Sequence, residues 1–371
     1  MISRVFISCF FWGKLPPLEG FCMVIKDLHK KMKKFPKVDL HRHLEGSIRV
    51  ESFLDIARKE KVKLPTYNLE EFRRLVQVND EPPDFINFLN KFKVARGFYP
   101  NRNSIERVAY EAVEDAARDN VKYLELRYSP THFACDQRFP EEEVIRWVQG
   151  AIERAMGNYD IEVIPVLTIS RNYGIELAEH TVGIAVKLAG KYFFGLDLAG
   201  DEINYPAKTM AHLFQMAKDA GMGLTLHAGE AGGPENVIEA IERFGCDRIG
   251  HGVQAAKSEQ AMKVLKKTQV LLEICPTSNI HTGVVESLEV HPLKMFYERG
   301  LSVSLNTDDP MVSNITLTDE YVNAVTKMGL NEDDLKKLNT MAIEHCFHPN
   351  KKTLQKKFAN FWSKKEERKD Q

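Results

Sequence analysis

The amino-acid sequence predicts an α/β fold, a closed (β/α)8 TIM barrel with a helical insert after the first strand. Short β-rich runs recur along the chain, and amphipathic helical patterns separate them, as in parallel sheets. The runs are almost continuously apolar, which is typical of strands covered on both faces. The sequence contains no glycine-rich phosphate-binding loop, which argues against an open nucleotide-binding sheet. The eight β-rich runs are residues 38–43, 121–129, 162–170, 193–200, 223–230, 248–252, 270–278 and 301–309.

The helical patterns between these runs carry start signals. Apolar residues from 105 to 116 recur at helical spacing after Asn103, and Glu106, three residues further on, suggests a capping box. A second helix is predicted to begin after Pro140, where residues 141–143 are acidic and suit the first turn. Both predictions place helices between strands, as a barrel requires.

The sequence divides into one domain and two terminal extensions. Residues 1–34 form an N-terminal extension with an apolar run, which we interpret as packed on the domain, disordered, a weak export signal, or a segment ahead of a natural start at Met23. Residues 35–350 form a single (β/α)8 domain, in which 44–120 is a helical insert over the mouth of the barrel. Residues 351–371 form a charged C-terminal helix and tail.

Composition excludes several classes of function. The 371 residues include 51 Lys and Arg against 52 Asp and Glu, so the chain lacks the basic excess of nucleic-acid-binding proteins. No apolar run reaches the ~18 residues of a membrane-spanning helix. The six cysteines form no C-x-x-C pair, which excludes a cysteine-type zinc site, and most are expected to be buried thiols. We expect a monomeric, cytoplasmic protein that binds a small molecule.

Polar residues at the carboxyl ends of the strands predict a metal site. His41 and His43 share one face of the first strand because side chains alternate, while His227 and Asp308 end the fifth and eighth strands. Three imidazoles and one carboxylate suit a single Zn2+ and leave a position open for water. Since the active site of a barrel lies at this end, we expect the four side chains to converge.

Three further residues beside the predicted metal can carry acid and base chemistry. A zinc ion lowers the pKa of its bound water to about 7 and thereby generates a nucleophile. Glu230 can then protonate a substrate, His251 can accept or hold the proton of the water, and Asp309 can orient the attacking oxygen. The predicted chemistry is hydrolytic attack on an electrophilic carbon.

Seven segments resemble the motifs of the adenosine deaminase family of metal-dependent amidohydrolases, in the family's order, over residues 36 to about 354. The resemblance implies a zinc-dependent enzyme of purine salvage that hydrolyses adenosine and 2'-deoxyadenosine to inosine and ammonia. The segments are VDLHRHLEG (38–46), ELRYSP (125–130), LDLAGDE (196–202), HAGE (227–230), RIGHG (248–252), EICPTSN (273–279) and SLNTDDP (304–310).

The resemblance also implies residue roles. One zinc ion per chain is held by the four ligands already named. Glu230 protonates purine N1 as C6 is attacked, His251 holds the hydroxide, and Asp309 aligns it and contacts N7. The remaining positions implied to bind the substrate or lie beside it are the backbone N–H of Gly200 at N3, the lid residues Phe88 and Phe92, and Glu45, Ser129 and Asp197.

Glu45 departs from the common pattern of the family. Many members have Asp at this position, where it contacts the ribose 5'-hydroxyl, whereas relatives that deaminate free adenine carry Glu. Adenine deaminase is therefore one alternative, but the segments LAGDE (198–202) and RYSP (127–130), which such relatives tend to lack, favour adenosine. A catalytically silent purine-binding relative is the other alternative, and the retained ligands and Glu230 favour an active enzyme. Cytidine-type deaminases are excluded because their C-x-x-C ligands are absent from the sequence.

Overall fold

The computed structural model describes residues 18–96, 98–134 and 137–366. Eight parallel strands follow one another around the sheet in sequence order, which confirms the predicted barrel. The strands are β1 Lys37–His43, β2 Val121–Tyr128, β3 Glu162–Ser170, β4 Gly195–Ala199, β5 Gly223–Ala228, β6 Arg248–His251, β7 Leu271–Ile274 and β8 Val303–Leu305.

Backbone hydrogen bonds between β1 and the residues after β8 close the barrel. His43 N donates to Asp308 O at 2.9 Å, and Asp308 N donates to His41 O at 2.8 Å. Arg42 and Asp308 form the corresponding parallel bridge. Because the closing bonds involve predicted metal ligands, the seam of the barrel and the candidate site are one structure.

Helices surround the sheet and continue to both ends of the described chain. Those of the first half are α1 Leu18–Lys33, α2 Val50–Glu60, α3 Leu69–Val76, α4 Phe85–Asn90, α5 Arg102–Arg118, α6 Pro130–Ala134, α7 Glu141–Asn158 and α8 Ile175–Ala185. Those of the second half are α9 Ala211–Asp219, α10 Pro234–Glu242, α11 Glu259–Thr268, α12 Pro276–His281, α13 Leu293–Glu298, α14 Pro310–Ser313, α15 Leu317–Thr326, α16 Glu332–His345 and α17 Lys351–Glu366.

One of the two predicted helix starts is confirmed and the other is wrong. Helix α7 begins after Pro140, as predicted. The predicted start of α5 at Asn103 with Glu106 is wrong, since the N-cap is Asn101 and its capping box is completed by Ser104. Asn101 N donates to Ser104 Oγ at 3.3 Å, so a short hydroxyl performs the role expected of a longer carboxylate.

The segment between β1 and β2 has two parts. Helix α5 packs against α7 and β2 and belongs to the outer ring of the barrel. Helices α2 and α3 and the turn after α4 share an aromatic cluster, in which Phe53 contacts Phe98 at 4.4 Å and Phe72 at 5.6 Å between ring centroids. This cluster supports α4, which lies beside the mouth of the barrel.

The described parts of the terminal extensions are helical. Leu28 and Met32 of α1 pack against the core, and Leu354 and Phe358 of α17 are buried. The apolar run proposed within residues 1–17, the tail after 366, and Cys9 and Cys135 lie outside the described residues.

Two further features of the described residues bear on the sequence predictions. The thiols of Cys246, Cys275 and Cys346 are free and buried. No helix of the described chain is long and apolar enough to cross a membrane.

Glu320 on α15 fastens the short helix that follows β7. Its Oε1 accepts from the backbone N of Thr277 at 2.9 Å, while Oε2 is buried without a hydrogen-bond partner among the described residues. Burial raises the pKa of Glu320 to about 8. Since α12 carries Ser278 and Asn279, which contact the candidate site, this carboxyl fixes a supporting wall of that site.

Replacing Glu320 by Gln should remove a pH-dependent loss of stability. Because the folded chain retains a proton that the unfolded chain releases above its ordinary pKa, the free energy of unfolding falls as pH rises toward about 8. We expect the melting temperature of E320Q to rise relative to the wild type between about pH 5 and about pH 8. The control is Glu344→Gln on the exposed face of α16, and a pH-independent difference for E320Q would contradict the assignment.

Candidate active site

Four side chains predicted to bind metal converge at the carboxyl end of the barrel. The candidate ligand atoms of His41, His43, His227 and Asp308 all lie within 4.8 Å of one another. Asp308 Oδ1 lies 3.3 Å from His41 Nε2 and 3.4 Å from His43 Nε2, and the Nε2 atoms of His43 and His227 are 3.3 Å apart. The structure therefore brings the predicted set together at one point.

Two carboxylates orient the imidazoles from behind. Glu273 Oε2 lies 2.7 Å from His41 Nδ1, and Asp197 Oδ1 lies 2.9 Å from His227 Nδ1. A carboxylate at Nδ1 favours the tautomer that leaves Nε2 free for a metal. His41 Nε2 is buried and has no hydrogen-bond partner, as expected for a nitrogen that serves as a ligand.

Asp308 is held ionised at the centre of the cluster. Burial acts to raise its pKa, but the adjacent ring of His41 and the neighbouring imidazoles of His251 and His43 lower the pKa of Asp308 well below its usual range. Ser278 Oγ donates to Asp308 Oδ2 at 2.6 Å. The backbone of Asp308 has φ 63°, a left-handed conformation that turns the carboxylate toward the histidines.

A second group of possible ligands overlaps the first. His251 and Cys275 join His41 and Asp308 within the same distance limit. Burial raises the pKa of the Cys275 thiol well above its usual range, which disfavours the thiolate that a metal requires. The set of three histidines and Asp308 is chemically the better site.

Glu230 lies beside this cluster on a loop that is fixed by another carboxylate. Glu202 accepts backbone N–H bonds from Gly229 at 2.6 Å, Glu230 at 3.1 Å and Gly232 at 2.9 Å. Burial, followed by the charges of Asp308 and Glu202, raises the pKa of Glu230 well above its usual range. These surroundings therefore favour the protonated carboxyl group over the carboxylate.

His251 stands between Glu230 and the candidate ligands. Its Nε2 lies 3.7 Å from Glu230 Oε2 and 3.9 Å from Asp308 Oδ2. Its Nδ1 lies 3.1 Å from Asn279 Nδ2, and burial lowers the pKa of His251 well below its usual range. Since Asn279 Nδ2 can only donate, Nδ1 is the acceptor and Nε2 carries the proton of the neutral ring in this arrangement.

Asp309 faces the cavity next to Asp308. Burial and the charge of Asp308 raise the pKa of Asp309 well above its usual range, and its Oδ1 has no partner among the described residues. Gly46 packs so closely that an added Cβ would lie 1.8 Å from Asp309 Oδ1. Glycine is therefore required at position 46 to make room for this carboxyl.

The remaining predicted substrate-binding residues line a cavity of about 320 Å3 above the cluster, apart from Asp197, which lies beneath it. Phe88 and Phe92 contact each other with ring centroids 6.2 Å apart and form an apolar wall. Gly200 has φ 100°, and a Cβ there would lie 2.3 Å from Asn172 Oδ1. The other predicted lining residues are Glu45, whose Oε1 accepts from Ser129 N at 2.7 Å, and Ser129 itself.

Several supporting residues were not assigned roles from the sequence. Glu273 is a charged residue inside an apolar strand, a signal that could have marked it as a buried partner. The contacts of Glu202, Ser278, Asn279 and Glu320 depend on how distant segments meet in the barrel. No local pattern predicts such contacts.

The barrel and its converging imidazole and carboxylate groups define a metalloenzyme. The family model for adenosine deaminase matches residues 36–359. An adenosine deaminase from Clostridium botulinum is 39% identical over 330 residues, which cover 88% of this chain and 98% of that protein.

Solved structures share the fold. Arabidopsis ADAL complexed with IMP is 28% identical with a TM-score of 0.80, and the match covers 89% of this chain and 98% of that one. An adenine deaminase from Arthrobacter aurescens has a TM-score of 0.82 at 23% identity, covering 88% of this chain and 99% of that one.

The chain belongs to the adenosine deaminase family. The predictions of family, fold class and enzymatic function are thereby confirmed, and the predicted activity, hydrolytic deamination of adenosine, is the activity for which the family is named.

Replacing Asp197 by Asn should weaken metal binding. The change keeps the size of the side chain but removes the charge that orients His227, so we expect the affinity for metal to fall about 10- to 100-fold. Competition with a chromogenic chelator measures this affinity. Asp219→Asn on the exposed face of α9 is the matched control, and an affinity in D197N equal to that of the control would refute the orienting role.

Proposed function

We propose that the chain hydrolyses adenosine and 2'-deoxyadenosine to inosine and ammonia, using one zinc ion held by His41, His43, His227 and Asp308. The observation that carries this proposal is the convergence of the four ligand groups beside the buried carboxyl group of Glu230, whose pKa is raised, at one cavity. Membership of the adenosine deaminase family supports the same reaction and substrate.

The donor set fits zinc. Three imidazole nitrogens and one carboxylate oxygen are typical zinc ligands, and the buried Nε2 of His41 has no hydrogen-bond partner that would compete with a metal. The chemistry that zinc supplies at such ligands is a lowered pKa, about 7, for a coordinated water. Glu273 and Asp197 hold the rings of His41 and His227 in the orientation this requires.

Glu230 is the proposed general acid. Its raised pKa keeps the proton available at neutral pH, and the proton would pass to purine N1 as C6 is attacked. Glu202 fixes the backbone on both sides of Glu230 and so limits the movement of the carboxyl group. Protonation of N1 makes C6 more electrophilic without generating a charged intermediate on the ring.

His251 and Asp309 are proposed to bind and orient the attacking water. The lowered pKa of His251 keeps its ring neutral, so that it can hold the water or take a proton from it when the ring tautomer shifts. Asp309 lies against Asp308, and its Oδ1, which has no partner among the described residues, can accept a hydrogen bond from the attacking water. The raised pKa of Asp309 favours a protonated carboxyl group that can donate to purine N7. The proton taken from water ultimately leaves with the ammonia.

The walls of the cavity are proposed to position the purine. Phe88 and Phe92 would cover the base and exclude water from the reacting carbon. The backbone N–H of Gly200 would donate to N3, since the absence of a side chain lets a ligand approach the main chain there. Ser129 borders the same cavity, where its backbone N–H holds Glu45.

Glu45 distinguishes the adenosine proposal from an adenine alternative. Its Oε1 is engaged by Ser129 N, whereas Oε2 is buried and unpartnered at the cavity wall and is available to a ribose hydroxyl. Burial raises the pKa of Glu45 to about 7. The same free oxygen could instead meet free adenine, so substrate preference requires a direct comparison.

Two finer predictions belong to the same proposal. The monomeric state and the cytoplasmic location expected from the sequence are tested by light scattering and by cell fractionation. The proposed substrate also places the enzyme in purine salvage.

Comparing three substrates tests the proposed function directly. We expect the metal-loaded enzyme to deaminate adenosine and 2'-deoxyadenosine with a much higher kcat/KM than adenine, because ribose contacts contribute binding energy in the transition state. Ammonia release measures the rate for all three substrates. Turnover of adenine alone would replace the proposal with the adenine alternative, and no turnover of any substrate would indicate a silent relative.

Replacing Glu230 by Gln should abolish proton donation while leaving the metal bound. We expect kcat on adenosine to fall at least ~100-fold, a typical contribution of a general acid. Metal content, measured by mass spectrometry, should stay at the wild-type value. Glu235→Gln, exposed on α10, is the nearby control and should keep wild-type turnover; similar turnover in E230Q would remove Glu230 from the mechanism.

A further inference from the structure

A second cavity, of about 350 Å3, lies on the other side of β1 from the substrate cavity. It is bordered by the start of α2, the end of α5 and the segment from Pro310 to Thr316, and it shares no lining residue with the substrate cavity. Arg42 projects into it, because alternate side chains of a strand point to opposite faces and Arg42 lies between His41 and His43. Nothing in the proposed reaction uses this cavity.

Arg42 is an almost completely buried cation that forms no ion pair with any described residue. Its side chain is 5% exposed, and its Nε donates to Ser47 Oγ at 3.1 Å. Among the described residues, the two terminal nitrogens of the guanidinium make no hydrogen bond and no ion pair. Asp39 interacts electrostatically with Arg42, but its carboxylate already accepts a hydrogen bond from Thr307 Oγ1 at 2.7 Å.

The other charged side chains around the cavity are already paired. Five cationic and four anionic side chains line it, and each of them except Arg42 lies beside a side chain of opposite charge or, for Asp319, beside His29. The pairs are Lys33 with Asp119 at 3.0 Å, Arg49 with Asp115 at 2.6 Å, Arg73 with Glu51, Arg118 with Glu114 at 2.9 Å, and His29 with Asp319 at 3.1 Å.

Backbone groups add donors at the same place. Residues from Ile48 to Glu51 border the cavity at the start of α2, an eleven-residue helix whose N-cap, Arg49, makes no side-chain capping bond. The first backbone N–H groups of a helix have no partner within the helix and favour anions. The carboxylate of Glu51 forms an ion pair with Arg73 on α3.

We propose that this cavity is a binding site for a small oxyanion of the phosphate type, held by the guanidinium of Arg42. The planar fork of an arginine matches two oxygens of such an anion, and a bound anion would accept from the terminal nitrogens of Arg42, which make no hydrogen bond to a described residue. The volume exceeds that of a bare phosphate ion and is within the range of small-ligand sites, so a phosphomonoester also fits. The site is separate from the proposed deaminase activity.

The anion site is joined to the metal-binding strand by short contacts. Ser47, which holds Arg42 Nε, donates from its hydroxyl to the backbone oxygen of His43 at 2.5 Å. Met311 N, at the cavity wall, donates to Gly46 O at 2.7 Å. An anion bound to Arg42 would therefore restrict the movement of residues 43–47, which begin at the metal ligand His43 and include Gly46 beside Asp309.

Titration of the metal-loaded enzyme with inorganic phosphate at constant ionic strength tests the proposal. We expect saturable binding by calorimetry with a stoichiometry of one at this site and a rise in melting temperature. In Arg42→Gln the affinity should fall at least ~10-fold, since the charge-assisted bonds are lost. Arg243→Gln, exposed directly after α10 and paired with Glu239, is the matched control and should bind phosphate as the wild type does.

Further arms distinguish the sources of the oxyanion and guard against misfolding. Glycerol 2-phosphate and acetate are titrated in parallel, and tighter binding of the ester than of inorganic phosphate would identify a phosphorylated metabolite as the ligand. Should R42Q fail to fold, Arg42→Lys retains the charge but loses the fork and should still weaken binding. Diffraction from crystals soaked in selenate should place selenium beside Arg42.

Three results would overturn the proposal. They are phosphate binding that does not saturate in the wild type, affinity that is the same in R42Q or R42K as in the wild type, and selenate found in the substrate cavity alone. None of these results bears on the deaminase activity, which is measured separately.

Discussion

The buried carboxylate of Glu273 is the interaction on which the site depends. Glu273 lies on β7 and is fully buried. Its Oε1 accepts from Arg248 Nε at 2.5 Å and from Thr225 Oγ1 at 3.1 Å. Its Oε2 accepts from Arg127 Nη2 at 2.7 Å and also contacts His41 Nδ1. Burial acts to raise its pKa, but the two guanidinium groups hold the pKa of Glu273 well below its usual range. An ionised hub therefore links β1, β2, β5 and β6 to β7 and fixes one imidazole of the metal site.

The same burial separates the roles of neighbouring carboxyl groups. The imidazoles around Asp308 hold its pKa well below its usual range, whereas burial and then the neighbouring carboxylates raise the pKa of Glu230 and of Asp309 well above theirs. A metal ligand and a proton donor are thus formed from the same chemical group within a few ångströms, as in other sites where environments push pKa values apart. On the outer face of β1, burial without pairing leaves Arg42 ready for an anion.

The sequence predicts the barrel and the converging groups because both follow local rules. Apolar runs mark strands, and the carboxyl ends of parallel strands meet, so His41, His227 and Asp308 can be placed together without coordinates. Contacts across the barrel interior are different, since the partners of Glu273 come from four other strands and depend on their register. The start of α5 was mislocated because Asn101 and Asn103 offer equivalent caps in sequence and only packing selects between them.

The central claim is that one zinc ion is held by three histidines and Asp308. Anomalous diffraction recorded on both sides of the zinc absorption edge, from crystals of the enzyme purified with its metal, tests it most directly. We expect one zinc peak bounded by His41, His43, His227 and Asp308, with Glu230 and His251 beside it. A peak ligated by Cys275 in place of His43 and His227, or a fully active enzyme without any metal peak, would show that the proposed metal site is wrong.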